Sequence, residues 1–144
     1  AKFALTPTSV MNFVEGTRFT PAKQQRQGSG FEHLLQPKAG GLAMALAMLG
    51  ERFDSLLDVT IVYPDGAPTF GQFLRGEMRR VIVRVERRPI PLECRRDDGT
   101  VDADFRRQVQ RWLLELWQLK DAQISALLQA ARAADAAPPA PLRA

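Results

Sequence analysis

One cysteine and one histidine are all that 144 residues contain of those types. Cys94 alone excludes a disulfide framework and a cysteine-built zinc site. His33 alone excludes a histidine-rich metal site. Lysine is also scarce, with four residues against sixteen arginines. No stretch approaches the roughly 20 uninterrupted apolar residues of a membrane-spanning helix. The longest apolar run, Gly40 to Gly50, has the length of a core helix. Pro7 arrives too early for the apolar region of a signal peptide. What remains is the composition of a soluble globular domain: 45% apolar and 25% charged residues. That apolar fraction excludes disorder of the whole chain. The length suits one domain, in which folding removes about two-thirds of the unfolded surface.

The charge is unevenly placed. Residues 1–74 carry six bases and six acids, and residues 112–144 carry three of each. Residues 75–111 carry eleven arginines and seven acids, so the net charge of +4 belongs to this segment. A basic segment attracts phosphate on lipid, nucleic acid or cofactor. A solvated basic face is the simpler expectation.

Hydrophobic patterning outlines the elements. Ser9–Val14 is short and apolar, and it reads as a buried strand. Thr20–Gly30 is polar, with one proline and two glycines, and reads as an exposed loop. Pro37 suits the first turn of a helix over about Ala39–Leu49, stopped by Gly50. Asp58–Tyr63 is a β-branched run ended by Pro64, hence a second buried strand. Pro64-Asp65-Gly66 is a turn. Thr69 can cap a short helix to Leu74. Arg79–Arg88 alternates as a strand with one wet face near a sheet edge, Val81, Val83 and Val85 opposing Arg80, Ile82, Arg84 and Glu86. Asp102 can cap a long amphipathic helix on which Phe105, Val109, Trp112, Leu113, Leu116, Trp117, Ile124, Leu127 and Leu128 share a face. From Ala130 the Ala/Pro composition reads as a disordered tail. The order is that of an α/β fold with a mixed, largely parallel sheet and flanking helices, Val10–Val14 lying parallel to Val59–Tyr63.

Glu15-Gly16-Thr17-Arg18 is the richest segment chemically. An acid and an arginine lie three residues apart on a tight loop leaving a buried strand, the place where open α/β sheets bind ligands. Gly16 permits a sharp turn that exposes its own amide and that of Thr17. Arg18 can grip a phosphate or carboxylate with two parallel hydrogen bonds. Glu15 can orient Arg18 or accept a hydrogen bond from a hydroxyl substrate. A plain surface turn with a weak Glu–Arg pair fits the same letters.

Phe13-Val14-Glu15-Gly16-Thr17-Arg18 resembles the third conserved motif of the lysophospholipid acyltransferase family, which includes the glycerophosphate and 1-acylglycerol-3-phosphate acyltransferases. Val14 replaces the family's usual proline. The wording from Asn12 to Thr20 is similar to one group of bacterial proteins of that family. Pro37-Lys38-Ala39-Gly40-Gly41 is similar to its Lys-x-Gly helix start, and Val59–Pro64 to its fourth motif. The resemblance covers roughly residues 3–92; the long helix carries no family motif.

The resemblance implies a glycerophosphate acyltransferase-like fold. It implies a reaction that moves a fatty acyl group from coenzyme A or acyl carrier protein to a glycerophospholipid-type hydroxyl. No cofactor beyond that acyl donor is implied. Arg18 would grip the acceptor phosphate, with Glu15, Gly16 and Thr17 positioning it. Val62 and Pro64 would support the acyl-donor side. The family's catalytic His-x-x-x-x-Asp precedes the third motif. His33 follows that motif, with Lys38 where the aspartate would stand. The expectation is therefore the C-terminal, acceptor-binding part of an acyltransferase domain (1–129), inactive alone, followed by a tail (130–144). A phospholipid or lysophospholipid would be the acceptor. The parent would work at the cytoplasmic face of the bacterial inner membrane, this segment being soluble and prone to self-associate through uncovered sheet.

Two other function classes fit less. A basic nucleic-acid-binding module lacks aromatic residues between its arginines for base stacking. A catalytically dead interaction domain would keep the fold alone. His33 beside Leu34 and Leu35 reads as packed or surface histidine, and Cys94, in a polar loop beside Arg95 and Arg96, as a bystander. Trp112 and Trp117 read as core. The arginine-rich strand could face anionic lipid headgroups or serve only as a charged edge.

Overall fold

Two helices hold the core, and their ends are set by local chemistry. The computed structural model describes residues 9–136. The first helix, α1 (Pro21–Gln27), begins at Thr20, whose Oγ1 accepts from Lys23 N at 3.3 Å. Gly28 ends it with φ of 56°. The expected loop over Thr20–Gly30 is therefore mostly helix, because Pro21 stands at the first helical position, where its missing N–H costs nothing.

The second helix, α2 (Gly40–Leu49), buries Leu42, Ala43, Leu46 and Ala47. Pro37 lies ahead of it and not in its first turn. Its C-terminal carbonyls are met by the loop over residues 95–99. Arg96 N donates to Leu46 O at 3.1 Å and Gly99 N to Ala47 O at 2.9 Å. Gly50 N donates to Arg96 O at 2.9 Å, and a Cβ on Gly50 would lie 2.9 Å from Arg95 Cα.

Strand β1 (Leu56–Val62) leads through a turn to α3 (Phe70–Leu74), where Thr69 and Gln72 form a capping box. Strand β2 (Ile82–Arg88) follows, then a short 3-10 turn over Leu92–Cys94. The last helix, α4 (Ala103–Ala136), is capped by Asp102, whose Oδ1 accepts from Phe105 N at 2.7 Å. Its 34 residues span about 51 Å at 1.5 Å each. The stretch from Ala130 expected to fray is helical through Ala136; residues 137–144 lie outside the described part. Leu42, Ala43, Leu46 and Ala47 of α2 pack on Phe105, Val109 and Leu113 of α4, with Ile90 and Cys94 completing the cluster.

The sheet departs from expectation. Among the described residues it has two antiparallel strands, with register from Leu56↔Arg88 to Val62↔Ile82. Ser9–Val14 forms no strand, and Val10, Met11 and Phe13 are exposed. The physical reason is where its carbonyls go. Phe13 O accepts from Gly16 N at 2.9 Å and Val14 O from Lys38 N at 2.8 Å, so neither enters a ladder. The predicted parallel pairing of Val10–Val14 with Val59–Tyr63 is absent with it.

Strand β1 is not buried as expected, because one of its faces is open, and the open face of β2 is the one that carries its valines. Leu57, Val59 and Ile61 of β1 lie with Val83 and Val85 of β2 on a face open to solvent, each about half exposed or more. The opposite face, carrying Asp58, Thr60 and Glu86, meets α4 through Lys120 and Gln123. Polar groups on α4 select the polar face of the sheet, so the apolar face is left outside.

Candidate functional site

The Glu15 loop is a tight turn. Gly16 N closes it on Phe13 O, and Gly16 takes the left-handed φ of 68° that a side chain would resist. The bond from Lys38 N to Val14 O sets this turn against the start of α2. The Asn12 amide lies against Gly41, where a Cβ would come within 2.9 Å of Nδ2. Helix α2 has no side-chain cap and no acid in its first turn. Its N-terminal partial positive charge therefore faces no counter-charge of its own.

The four expected acceptor residues divide into an inward and an outward set. Glu15 turns inward and is half-buried. Its Oε1 accepts from Leu35 N at 3.1 Å. Burial raises the Glu15 carboxyl above its ordinary value, while the Leu35 amide, the Lys120 charge and the Trp117 N–H pull against that rise. It forms no ion pair with Arg18 among the described residues. Gly16, Thr17 and Arg18 are exposed. The Arg18 guanidinium has no hydrogen bond or ion pair among the described residues. Lys23 of α1 braces the loop, its Nζ donating to Thr17 Oγ1 at 2.6 Å and to Arg18 O at 3.2 Å. Lys38 is exposed at the foot of α2. The loop therefore presents the Arg18 guanidinium, unpaired among the described residues, with its one carboxylate turned away. Such an arrangement can hold an oxyanion.

Val62 is buried at the end of β1, and Pro64 is half-buried in the turn beyond it. Among the described residues no hydrogen bond or ion pair joins either residue to the Glu15 loop.

Helix α4 seats residues 31–39 with a row of polar side chains. Gln110 Oε1 accepts from Ala39 N at 3.2 Å, and its Nε2 donates to Pro37 O at 3.2 Å. Trp117 Nε1 donates to Leu35 O at 3.1 Å. Asp121 accepts from both Glu32 N and His33 N at 2.8 Å. His33 Nε2 lies 2.9 Å from Ser125 Oγ. His33 is thus a docking residue, as a packed histidine should be. Deeper in the same seam, Lys120 pairs with Asp58 and donates to Val59 O at 2.9 Å and Thr60 Oγ1 at 3.1 Å.

Sequence reasoning missed Lys23, Trp117, Lys120 and Asp121 as parts of the site. Thr20-Pro21 was the signal for Lys23, being a helix start. Lys120 carried a signal too, since it continues the buried 113–116–124 stripe.

Among the described residues, five of the eleven arginines of the basic segment pair with acids. Arg80 bonds Asp135 at 2.9 Å and Asp65 at 3.2 Å, both outside the segment, Arg96 bonds Asp102 at 2.7 Å, and Arg75, Arg88 and Arg107 pair with Glu77, Glu86 and Asp104. Cys94 is buried and not in a polar loop, and burial pushes its thiol up to about 11.

Against known proteins, the chain is similar to part of an acyltransferase. It is 28% identical over 117 residues to "Probable 1-acyl-sn-glycerol-3-phosphate acyltransferase 5" of Arabidopsis thaliana. The match covers 76% of this chain and 29% of that relative, so the chain spans less than a third of it. No protein-family model matches, and no solved structure does. No helix among the described residues is long and apolar enough to cross a membrane.

Proposed function

We propose that these residues are the acceptor-binding part of an acyltransferase. The reaction moves a fatty acyl group from an acyl thioester, of coenzyme A or acyl carrier protein, to a hydroxyl of a glycerophospholipid-type acceptor. The observation that carries this reading is Arg18, a guanidinium without a partner among the described residues, held on a glycine turn at the foot of a helix with no side-chain cap. The similarity to a plant acyltransferase supports it.

In this reading Arg18 binds the acceptor phosphate in two parallel hydrogen bonds. Lys38 and the α2 N-terminus add positive field, and the Gly16 and Thr17 backbone fixes the approach. Glu15 acts from within, holding the loop to Leu35. Val62 and Pro64 flank the acyl-donor side. The general base that deprotonates the acceptor hydroxyl comes from a His-x-x-x-x-Asp element outside these residues, so they bind without turning over. The apolar sheet face of Leu57, Val59, Ile61, Val83 and Val85 supports the partial-domain reading, because a complete α/β layer covers such a face. A phospholipid acceptor sets the complete enzyme at a membrane surface.

Titration of the chain with glycerol phosphate, followed by NMR, tests the proposal. Shifts should centre on Gly16, Thr17, Arg18 and Lys38, and Arg18→Ala should abolish them without changing the fold. Equal binding by Arg18→Ala, or acyl transfer by the 144-residue chain alone, would overturn it.

A further inference from the structure

Helix α4 carries no motif of the family, yet it contacts both segments that do. Toward the Glu15 loop, Trp117 bonds Leu35 O and Asp121 caps the amides of Glu32 and His33. Leu35 in turn holds Glu15 through its amide. Toward β1, Lys120 bonds Asp58, Val59 O and Thr60 within the same turn of helix. Lys120 also stabilises the Glu15 carboxylate electrostatically. It is 6% exposed, so its charge acts where water screens it little. One lysine thus bonds β1 directly and acts on the acid of the Glu15 loop through its field.

We propose that α4 is the positioning element of the site. Trp117, Lys120 and Asp121 hold the Glu15 loop and β1 in one fixed relation, and none of the three touches substrate. For the ligand this rests on the acceptor-site reading above; for the coupling it rests on the contacts alone. A guanidinium on a loop loses affinity if the loop must be ordered at the moment of binding. Lys120 and Trp117 remove that cost from outside the loop.

The test is amide exchange by NMR on the full chain, comparing wild type with Trp117→Phe and Lys120→Met. Three amides report on the seam: Leu35, Lys38 and Gly16. Gly16 touches neither substituted side chain. Exchange at all three should rise at least fivefold in both variants, while Val109 and Leu113 in the core keep their wild-type rates. Faster exchange confined to Leu35, with Gly16 unchanged, would overturn the proposal. So would equal acceleration of Val109 and Leu113, which marks a merely structural role. A second arm measures glycerol phosphate affinity, expected to weaken about fivefold in both variants. If wild type binds no glycerol phosphate but the exchange coupling holds, the acceptor reading fails and the positioning role stands. If affinity is unchanged in the variants, the positioning role fails and the acceptor reading stands.

Discussion

Glu15 Oε1 accepts the backbone N–H of Leu35 at 3.1 Å, twenty residues further along the chain. The carboxylate of the acid-and-arginine loop therefore serves the protein interior, while Gly16, Thr17 and Arg18 stay exposed.

This arrangement has a pH signature. Burial raises the folded-state pKa of Glu15 above its ordinary 4.5. A raised carboxyl binds more protons folded than unfolded, so its contribution to stability falls as pH rises from 4.5 through the raised value. Asp102, lowered by the Phe105 amide and Arg96, and Asp135, lowered by Arg80, act in the opposite sense and lose their contribution in acid. Melting temperatures of wild type and Glu15→Gln, compared across mildly acidic to neutral pH, isolate the first effect. The wild type should lose stability relative to Glu15→Gln as pH rises. A difference independent of pH would show that Glu15 does not titrate in that window.

Gly50 marks where α2 meets the loop of Arg95 and Arg96. A Cβ there would sit 2.9 Å from Arg95 Cα and from Arg96 N, both backbone atoms with little freedom to move. Gly50→Ala should cost about 2 kcal/mol, the size of an overpacked core site. Urea unfolding should show a lower midpoint with an unchanged slope. A midpoint equal to wild type would mean that the loop yields freely.

Val59 and Val85 face each other across the sheet on its open side. Apolar faces of this kind drive association. Sedimentation velocity should show wild type growing heavier with concentration. Val85→Lys should weaken that association while changing stability little, because the side chain is already 57% exposed. A wild type that stays monomeric at every concentration would refute this.

Caps and turns were legible in the sequence because they depend on neighbours only. Thr69, Asp102 and the Pro64–Gly66 turn fall where their local chemistry puts them. The amphipathic stripe of α4 was legible for the same reason. One local signal went unread, the Thr20-Pro21 start of α1; most of the rest that failed depends on distant partners. Ser9–Val14 has strand-like letters but gives its carbonyls to Gly16 and Lys38. Valines 83 and 85 have an inward-facing pattern, yet Lys120 and Gln123 draw the other side of the strand to α4. At the site, the motif letters single out Gly16, Thr17 and Arg18, and the structure leaves all three exposed. The inward turn of Glu15 is set by Leu35 and Trp117, and nothing within the loop announces it.

The polar contacts that seat residues 32–39 on α4 reach 71 to 92 residues along the chain. Closing so long a segment is entropically costly before its contacts form, and it slows folding. The Glu15 loop is early in sequence but late in assembly. During synthesis it waits for Gln110 through Ser125 to emerge before it can take its final place.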